Sequence, residues 1–152
     1  MGCYWSTYMA EQILKVGIAG QGRSGFDIHA RWLRTVPQKY QIVAVADLLP
    51  ERRNQARQEF GCRVYKTHTD MLRAGGFDLV INALPSLLHP LGSIQALNAG
   101  FHTVSEKPSA VKVADFDKMV AASRKSGKFL LPFQNSRFQP AFIKIRELFD
   151  SG

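Results

Sequence analysis

The stretch Lys15-Val16-Gly17-Ile18-Ala19-Gly20-Gln21-Gly22-Arg23-Ser24-Gly25 runs from an apolar segment directly into three spaced glycines. It predicts a buried strand that ends in a tight turn and opens a helix. Each glycine permits something different there. Gly20 allows the sharp turn, Gly22 lets the backbone approach a pyrophosphate, and Gly25 lets the helix pack close to the strand. With Gln21, Arg23 and Ser24 between them, and the free amides and dipole of the helix's first turn, they make an expected phosphate cradle. Three glycines so spaced also occur in ordinary turns, so the flanking chain has to decide.

Downstream, Phe26, Ile28, Ala30, Trp32, Leu33 and Val36 predict a mostly apolar helix that faces a sheet and stops near Pro37. Gln41 to Asp47 is a Val- and Ala-rich run of the kind buried on both faces of a parallel sheet. Asp47 closes it 22 residues after Gly25. A carboxylate there suits the ribose hydroxyls of an adenosine and repels a ribose phosphate, which favours NAD over NADP. The alternative for Asp47 is a cap on the helix that starts at Pro50, and both roles can coexist. Arg52 and Arg53 either accept a 2′-phosphate, which keeps NADP open, or lie on a solvated helix face.

The same alternation continues to the end. A helix over residues 51–60 is closed by Gly61, a third strand covers 62–65, and Thr67 with Asp70 forms a capping box for a helix through Ala74. Strands at 77–84, 101–105 and 129–133 are separated by helices at 87–99 and 111–126, and a last helix spans 140–149. Val111, Phe116, Met119, Val120 and Ser123 mark the inner side of the 111–126 helix. Six strands alternating with helices predict an α/β fold: a doubly wound, mainly parallel sheet with helices on both faces. Glu106-Lys107-Pro108 then falls at the carboxyl end of the fifth strand, the edge where open parallel sheets bind ligands.

A chain of 152 residues with 45% hydrophobic content suffices for one core. No apolar run approaches the roughly 20 residues needed to cross a bilayer, and the start lacks the plan of a secretory signal. A soluble, cytoplasmic protein is expected. Twenty Lys and Arg against twelve Asp and Glu give a charge of +8, but the basic residues are scattered, so nucleic acid is not an expected partner. A basic surface suits an anionic cofactor equally well. Cys3 and Cys62 are too few for a disulfide framework, and His29, His68, His89 and His102 lack zinc-ligand spacing, so no metal is expected. Residues 1–11 are expected to form a disordered lead. Met1-Gly2 with Ser6 formally matches a myristoylation pattern, with Cys3 as a palmitoyl partner, although Met9-Ala10-Glu11 is a more natural beginning.

Taken together, Gly20-Gln21-Gly22-Arg23-Ser24-Gly25, Asp47, Pro85 with His89, Glu106-Lys107-Pro108 and Arg137-Phe138-Gln139-Pro140 resemble the Gfo/Idh/MocA oxidoreductases. The resemblance implies a Rossmann domain over 12–136, with 137–152 beginning a linker helix to a C-terminal substrate domain that is absent here. It implies hydride transfer between NAD(P) and a sugar- or polyol-type hydroxyl or carbonyl, with substrate pocket and homo-oligomer contacts in that second domain. Lys107 matches the lysine beside the reacting hydroxyl, Glu106 and Pro108 shape the nicotinamide end, and Leu84, Pro85 and His89 lie near the cofactor. The sequence departs from the family where Leu84-Pro85-Ser86 replaces a more polar Thr-Pro-Asn.

Chemistry supports Lys107 independently, because an ammonium stabilises charge that develops as a hydroxyl proton leaves. Its alternatives are an ion pair with Glu106 or a solvated loop position. For His89 the alternative is a packed histidine at a helix start, His102 reads as structural, and the Lys107–Pro108 bond can be cis. The chain is expected to bind a cofactor without turning over a substrate alone. A non-catalytic NAD(P)-dependent regulator is the second reading. Phe138, Phe142, Ile145 and Phe149 give the last helix an apolar side, expected to be poorly anchored or paired with another chain.

Overall fold

In the computed structural model, which describes residues 12–152, the strands are β1 (Leu14–Ala19), β2 (Tyr40–Ala46), β3 (Arg63–Tyr65), β4 (Leu79–Asn82), β5 (His102–Ser105) and β6 (Leu130–Pro132). All pairings are parallel, in the order β3-β2-β1-β4-β5-β6. Chain direction across the sheet reverses between β1 and β4, and a crevice opens beyond their carboxyl ends at such a point. The expected 1–11 lead, Cys3 and the acylation pattern lie outside the described residues.

A π-helical segment (Ser24–Ala30) continues into α1 (Arg31–Leu33), followed by α2 (Pro50–Phe60), α3 (His68–Ala74), α4 (His89–Asn98), α5 (Val113–Ser126) and α6 (Pro140–Asp150). Short 3₁₀ turns at Ser86–Leu88 and Asn135–Phe138 precede α4 and α6. One core joins Val16, Ile18, Ile42, Val45 and Ile81 to Ala30, Leu33 and Ala56 of the first two helices. The other joins Ala19, Ala44, Ala46 and Val80 to Met71, Leu72 and Ala96 of α3 and α4. The sheet is therefore covered on both faces, as alternation along buried parallel strands requires.

An irregularity in β2 makes this sorting work. Val16 pairs with Ile42 but Gly17 pairs with Ala44, so Val43 is an extra residue opposite β1. The bulge lets Ile42 and Val45, an odd number of positions apart, reach the same core.

The first helix differs from its expected form. It ends at Leu33, ahead of Pro37, and its inner residues are Gly25, His29, Ala30 and Leu33, while Ile28 and Trp32 are exposed. In an α-helix Trp32, seven positions on, would share Gly25's face. The wider π turn, with its i→i+5 bonding, moves that place one residue on to Leu33. The helix expected over 111–126 starts at Val113, leaving Val111 outside it and 74% exposed, and its buried residues are Met119 and Ala122. A shorter fourth strand is a further difference. Phe77 packs against Gly17 from below, and Asp78 Oδ2 accepts the Lys15 N–H at 2.8 Å, so both residues precede the ladder.

Other local signals form as read: Gly61 is left-handed at the end of α2, and Thr67 Oγ1 accepts the Asp70 N–H at the start of α3. Every residue of α6 is exposed, including Phe142, Ile145, Leu148 and Phe149 on one side. Among the described residues, no helix is long and apolar enough to cross a membrane, and no three His, Cys, Asp or Glu are placed to hold a metal ion.

Candidate nucleotide site

The glycine turn leaves β1 at the reversal point. Gly20 has φ +93°, donates its N–H to Ala46 O at 2.7 Å, and lies so close to the Ala83 carbonyl that a Cβ would overlap it. A Cβ on Gly25 would overlap the Gly20 carbonyl, which is the close helix-on-strand approach expected of this position. Gly22 is different. Its φ is outside the left-handed region, and the nearest protein atom to an added Cβ would be the flexible tip of Arg52, at 3.5 Å. Packing thus dictates two of the three glycines and leaves the third open to the outside. Between them Gln21 is 3% exposed, yet neither its side-chain nitrogen nor its oxygen finds a partner. A buried amide without partners is costly, and it invites a polar group from a ligand.

Asp47 sits just past β2, its side chain 7% exposed. Its Oδ2 accepts the Gln21 N–H at 2.7 Å, and its Oδ1 accepts the Leu49 N–H at 2.9 Å. The second bond is a turn preceding α2 rather than a cap, since Leu49 is itself the N-cap residue and receives no side-chain cap. Arg52 Nη1 lies 3.4 Å from Asp47 Oδ2, whereas Arg53 donates to the carbonyls of Asp47 and Leu48, both at 2.8 Å. Arg23 is exposed and Ser24 half-buried at the start of the π-helical segment.

Two strands away, Glu106 follows β5 and is 3% exposed. Its N–H donates to Asn82 O at 3.0 Å, its Oε2 accepts the Lys107 N–H at 3.0 Å, and its Oε1 meets His29 Nε2 at 2.8 Å. Burial pushes the His29 imidazole below its ordinary value, outweighing the opposite pull of the Glu106 carboxylate. The contact is therefore a neutral imidazole N–H donating to a carboxylate, rather than an ion pair, at neutral pH. Among the described residues, the Lys107 ammonium makes no hydrogen bond or ion pair, and its side chain is exposed. The expected alternative of a Lys107–Glu106 ion pair does not form, because His29 and the Lys107 backbone occupy the carboxylate. The Lys107–Pro108 bond is cis.

His89 is 2% exposed, and its ring nitrogens lie 2.7 Å from two backbone carbonyls, Pro108 O at Nδ1 and Leu84 O at Nε2. It is packed between the loops after β4 and β5 and joins them, while Pro85 is exposed and Leu84 half-buried above. Beneath this loop Asn82 donates to His89 O and to Ser93 Oγ, both at 2.9 Å. His102 accepts the Phe129 N–H at 3.0 Å, a structural role. Sequence reasoning passed over His29, Asn82 and Ser93. The available signal was a polar residue isolated on an apolar helix, and an asparagine at a strand's carboxyl end facing a serine one helix away.

Residues 14–133 match the oxidoreductase family described by its NAD-binding Rossmann fold, GFO_IDH_MocA. The chain belongs to the Gfo/Idh/MocA oxidoreductases. An inositol 2-dehydrogenase of Salmonella typhimurium is 29% identical over 142 residues, which cover 91% of this chain and 42% of that protein. The scyllo-inositol 2-dehydrogenase (NADP(+)) IolW of Bacillus subtilis is 29% identical over 140 residues, covering 91% of this chain and 38% of the relative. Among solved structures, the WlbA dehydrogenase of Chromobacterium violaceum in complex with NADH and UDP-GlcNAcA superposes with a TM-score of 0.88 at 29% identity, over 94% of this chain and 41% of that one. The chain therefore spans about two fifths of the length of the relatives it matches.

This Gfo/Idh/MocA domain has the family's NAD-binding Rossmann fold, and the face around its glycine turn suits a dinucleotide. The uncrowded Gly22 backbone and the unpartnered Gln21 amide face a need the protein does not meet itself. On the β5 side the surface continues past Pro108 into an open cleft of about 390 Å³, lined by Val111, Phe116, Pro132 and Gln134 among others.

Proposed function

We propose that this chain is the nicotinamide-dinucleotide-binding unit of an oxidoreductase that transfers a hydride to or from a sugar- or polyol-type carbon. The observation that carries the reading is the free Lys107 ammonium at the same sheet edge as the uncrowded Gly22 turn. Gly20, Gln21, Gly22, Arg23, Ser24 and Gly25 hold the phosphates in this reading, and Asp47 and Arg52 border the adenosine ribose. Leu84, Pro85, Glu106 and Pro108 form the wall at the nicotinamide end, with His89 bracing that wall from below. Bound there, the nicotinamide supplies the hydride donor or acceptor.

Lys107 acts electrostatically on the reacting oxygen, and the hydroxyl proton itself leaves to a base that the substrate pocket supplies. With its ammonium unspent on Glu106, Nζ is available to donate a hydrogen bond to a substrate oxygen and to stabilise charge as the hydroxyl proton departs. Glu106 acts indirectly: its buried carboxylate grips the Lys107 backbone, so the lysine's root is fixed while its tip stays free. The substrate pocket belongs to a second domain in this reading, consistent with the two-fifths coverage of the relatives. By itself the chain binds cofactor without turnover.

Isothermal titration with NAD⁺ and NADH tests the first part: saturable binding is expected, and folded protein that binds neither refutes it. Incubation with NAD⁺ and an inositol, followed at the nicotinamide absorbance, tests the second. Turnover by this chain alone would remove the need for another domain.

A further inference from the structure

We infer that the amino edge of the sheet is a docking face for an anionic lipid bilayer, which holds the chain with its glycine turn facing away from the lipid. This face lies at the opposite end of the strands from the nucleotide site and does not depend on it.

The basic residues are scattered along the sequence, and the fold gathers them. Where parallel strands are joined by helices, strands start and helices end at the same edge. Lys15 stands near the start of β1, Lys39 just ahead of β2, Arg57 in the last turn of α2, Arg124 and Lys125 in the last turn of α5, and Lys128 just ahead of β6. All but the half-buried Lys128 are exposed, and among the described residues none of these side chains meets a carboxylate. The acids at the strand starts and at the ends of α1 to α5 are Glu59, held by Arg34 at 3.0 Å, and Asp78, whose Oδ2 accepts the Lys15 N–H. At the carboxyl edge, by contrast, Asp47 and Asp115 stand beside Arg52 and Lys118. A cation in the last turn of a helix answers its dipole, which accounts for Arg57, Arg124 and Lys125. Lys15, Lys39 and Lys128 belong to no helix, so this edge carries more positive charge than its helices call for.

Apolar and aromatic side chains share the edge. Leu14, whose N–H donates to Lys39 O at 2.9 Å, is exposed beside the exposed Ile13. Trp32 of α1 is 56% exposed, with its ring 5.8 Å from that of Tyr40 at the head of β2. Phe129, just ahead of β6, is 78% exposed and stacks on His102 at 5.2 Å. From β2 to β6 in the sheet order the row is about 19 Å long, at about 4.8 Å per strand spacing. Cations interspersed with exposed rings suit the headgroup layer of an anionic bilayer: the surface charge draws the cations, and the rings settle at headgroup level. A nucleic-acid backbone takes up the cations but leaves Ile13 and Leu14 without a partner.

Co-sedimentation with vesicles tests the inference. The chain is expected to pellet with phosphatidylcholine vesicles containing about one third phosphatidylserine and to stay in solution with phosphatidylcholine alone. Its affinity should fall by about ten-fold or more between about 0.1 M and about 0.5 M salt. Arg124→Gln, Lys125→Gln and Lys128→Gln together should weaken binding by about a hundred-fold, at about five-fold per cation. Lys66→Gln, Lys112→Gln and Lys118→Gln remove as many charges toward the other edge and should weaken it by less than about five-fold, because charges beyond a Debye length from the lipid are screened. With the other tryptophan removed as Trp5→Phe, lipids brominated on their acyl chains should quench Trp32 fluorescence. Failure to pellet, equal pelleting with neutral vesicles, equal losses in the two triple variants, absence of quenching, or binding to duplex DNA in place of vesicles overturns the inference. Saturating NAD⁺ should leave vesicle binding unchanged, and competition between the two overturns it as well. Failure of NAD⁺ to bind folded protein that still pellets refutes the nucleotide site alone.

Discussion

The two glycines that differ most in their surroundings, Gly22 and Gly25, separate the folding role of the turn from its ligand role. In Gly25→Ala the new methyl meets the Gly20 carbonyl, and its next neighbours are the Gly20 carbon at 2.9 Å and Ile18 Cγ2 at 3.4 Å. Backbone cannot swing aside as a side-chain tip can, so the helix must lift from β1. Overpacking of this kind costs about 1–3 kcal/mol. At about 2–4 °C per kcal/mol for a chain of this size, thermal unfolding should begin visibly earlier. In Gly22→Ala the methyl enters open space, with the tip of the Arg52 side chain as its nearest neighbour at 3.5 Å. Its backbone needs no left-handed φ, so the loss of freedom in the unfolded chain should stabilise it by about 0.4–1 kcal/mol. The same methyl would stand where a pyrophosphate approaches. Losing one backbone bond to that anion, about 1.5–3 kcal/mol, weakens NAD binding by about ten- to a hundred-fold. Thermal melts and titration calorimetry on the two variants therefore give opposite patterns. Should Gly22→Ala melt as early as Gly25→Ala, or bind NAD like wild type, the division of labour assigned to these glycines is wrong.

The histidines and the last helix give three more tests. His29 has a folded-state value below its unfolded 6.5, so the unfolded chain takes up the proton first. Its contribution is complete above that unfolded value and is lost as pH falls toward the folded one. The melting temperature should therefore drop between about pH 7.5 and about pH 5.5, and a His29→Gln variant, which keeps a donor for Glu106, should show a shallower drop. His89→Leu removes the imidazole that bridges the Leu84 and Pro108 carbonyls and leaves whichever of them accepts its N–H unpaired; it should destabilise the fold by about 1–3 kcal/mol in urea titration, and an unchanged midpoint would mean the two loops do not depend on it. On α6, Ile145 is 52% and Phe149 82% exposed on the same side as Phe142. The chain should therefore self-associate as its concentration rises, and Ile145→Glu with Phe149→Glu should return it to a monomer by light scattering. Monomeric wild type at all concentrations would contradict that expectation.

How far the sequence could be read depended on whether a feature was carried by residue type or by register. Gly20-Gln21-Gly22-Arg23-Ser24-Gly25 was legible because only glycine fits where the Ala83 and Gly20 carbonyls approach. The six strands were legible because β-branched runs between turn residues have few other uses, and the sheet order agrees with the alternation. Register was less accessible. Nothing in the run Phe26 to Val36 announces a π turn, so the apolar residues that mark the helix do not show that His29 is buried while Ile28 and Trp32 are exposed. Nor does composition show that Val43 is an extra residue in β2.

The polar groups the sequence hid are the ones that fix the Glu106-Lys107-Pro108 turn. Glu106-Lys107-Pro108 is held on one side by His29, which arrives from the helix after β1, and on the other by His89, which arrives from the helix after β4. These two helices flank the reversal point, so both histidines report to the same crevice from opposite sides of the sheet order. The one-residue widening of the first helix is consistent with this demand. A shift of register that costs regular helix geometry places His29 against Glu106, and the bond it makes there leaves the Lys107 ammonium without an acidic partner. A lysine neutralised by its neighbouring glutamate would be a structural residue. Here the glutamate's two oxygens are used by a histidine and by a backbone N–H, and the Lys107 ammonium is left exposed and without a polar partner among the described residues.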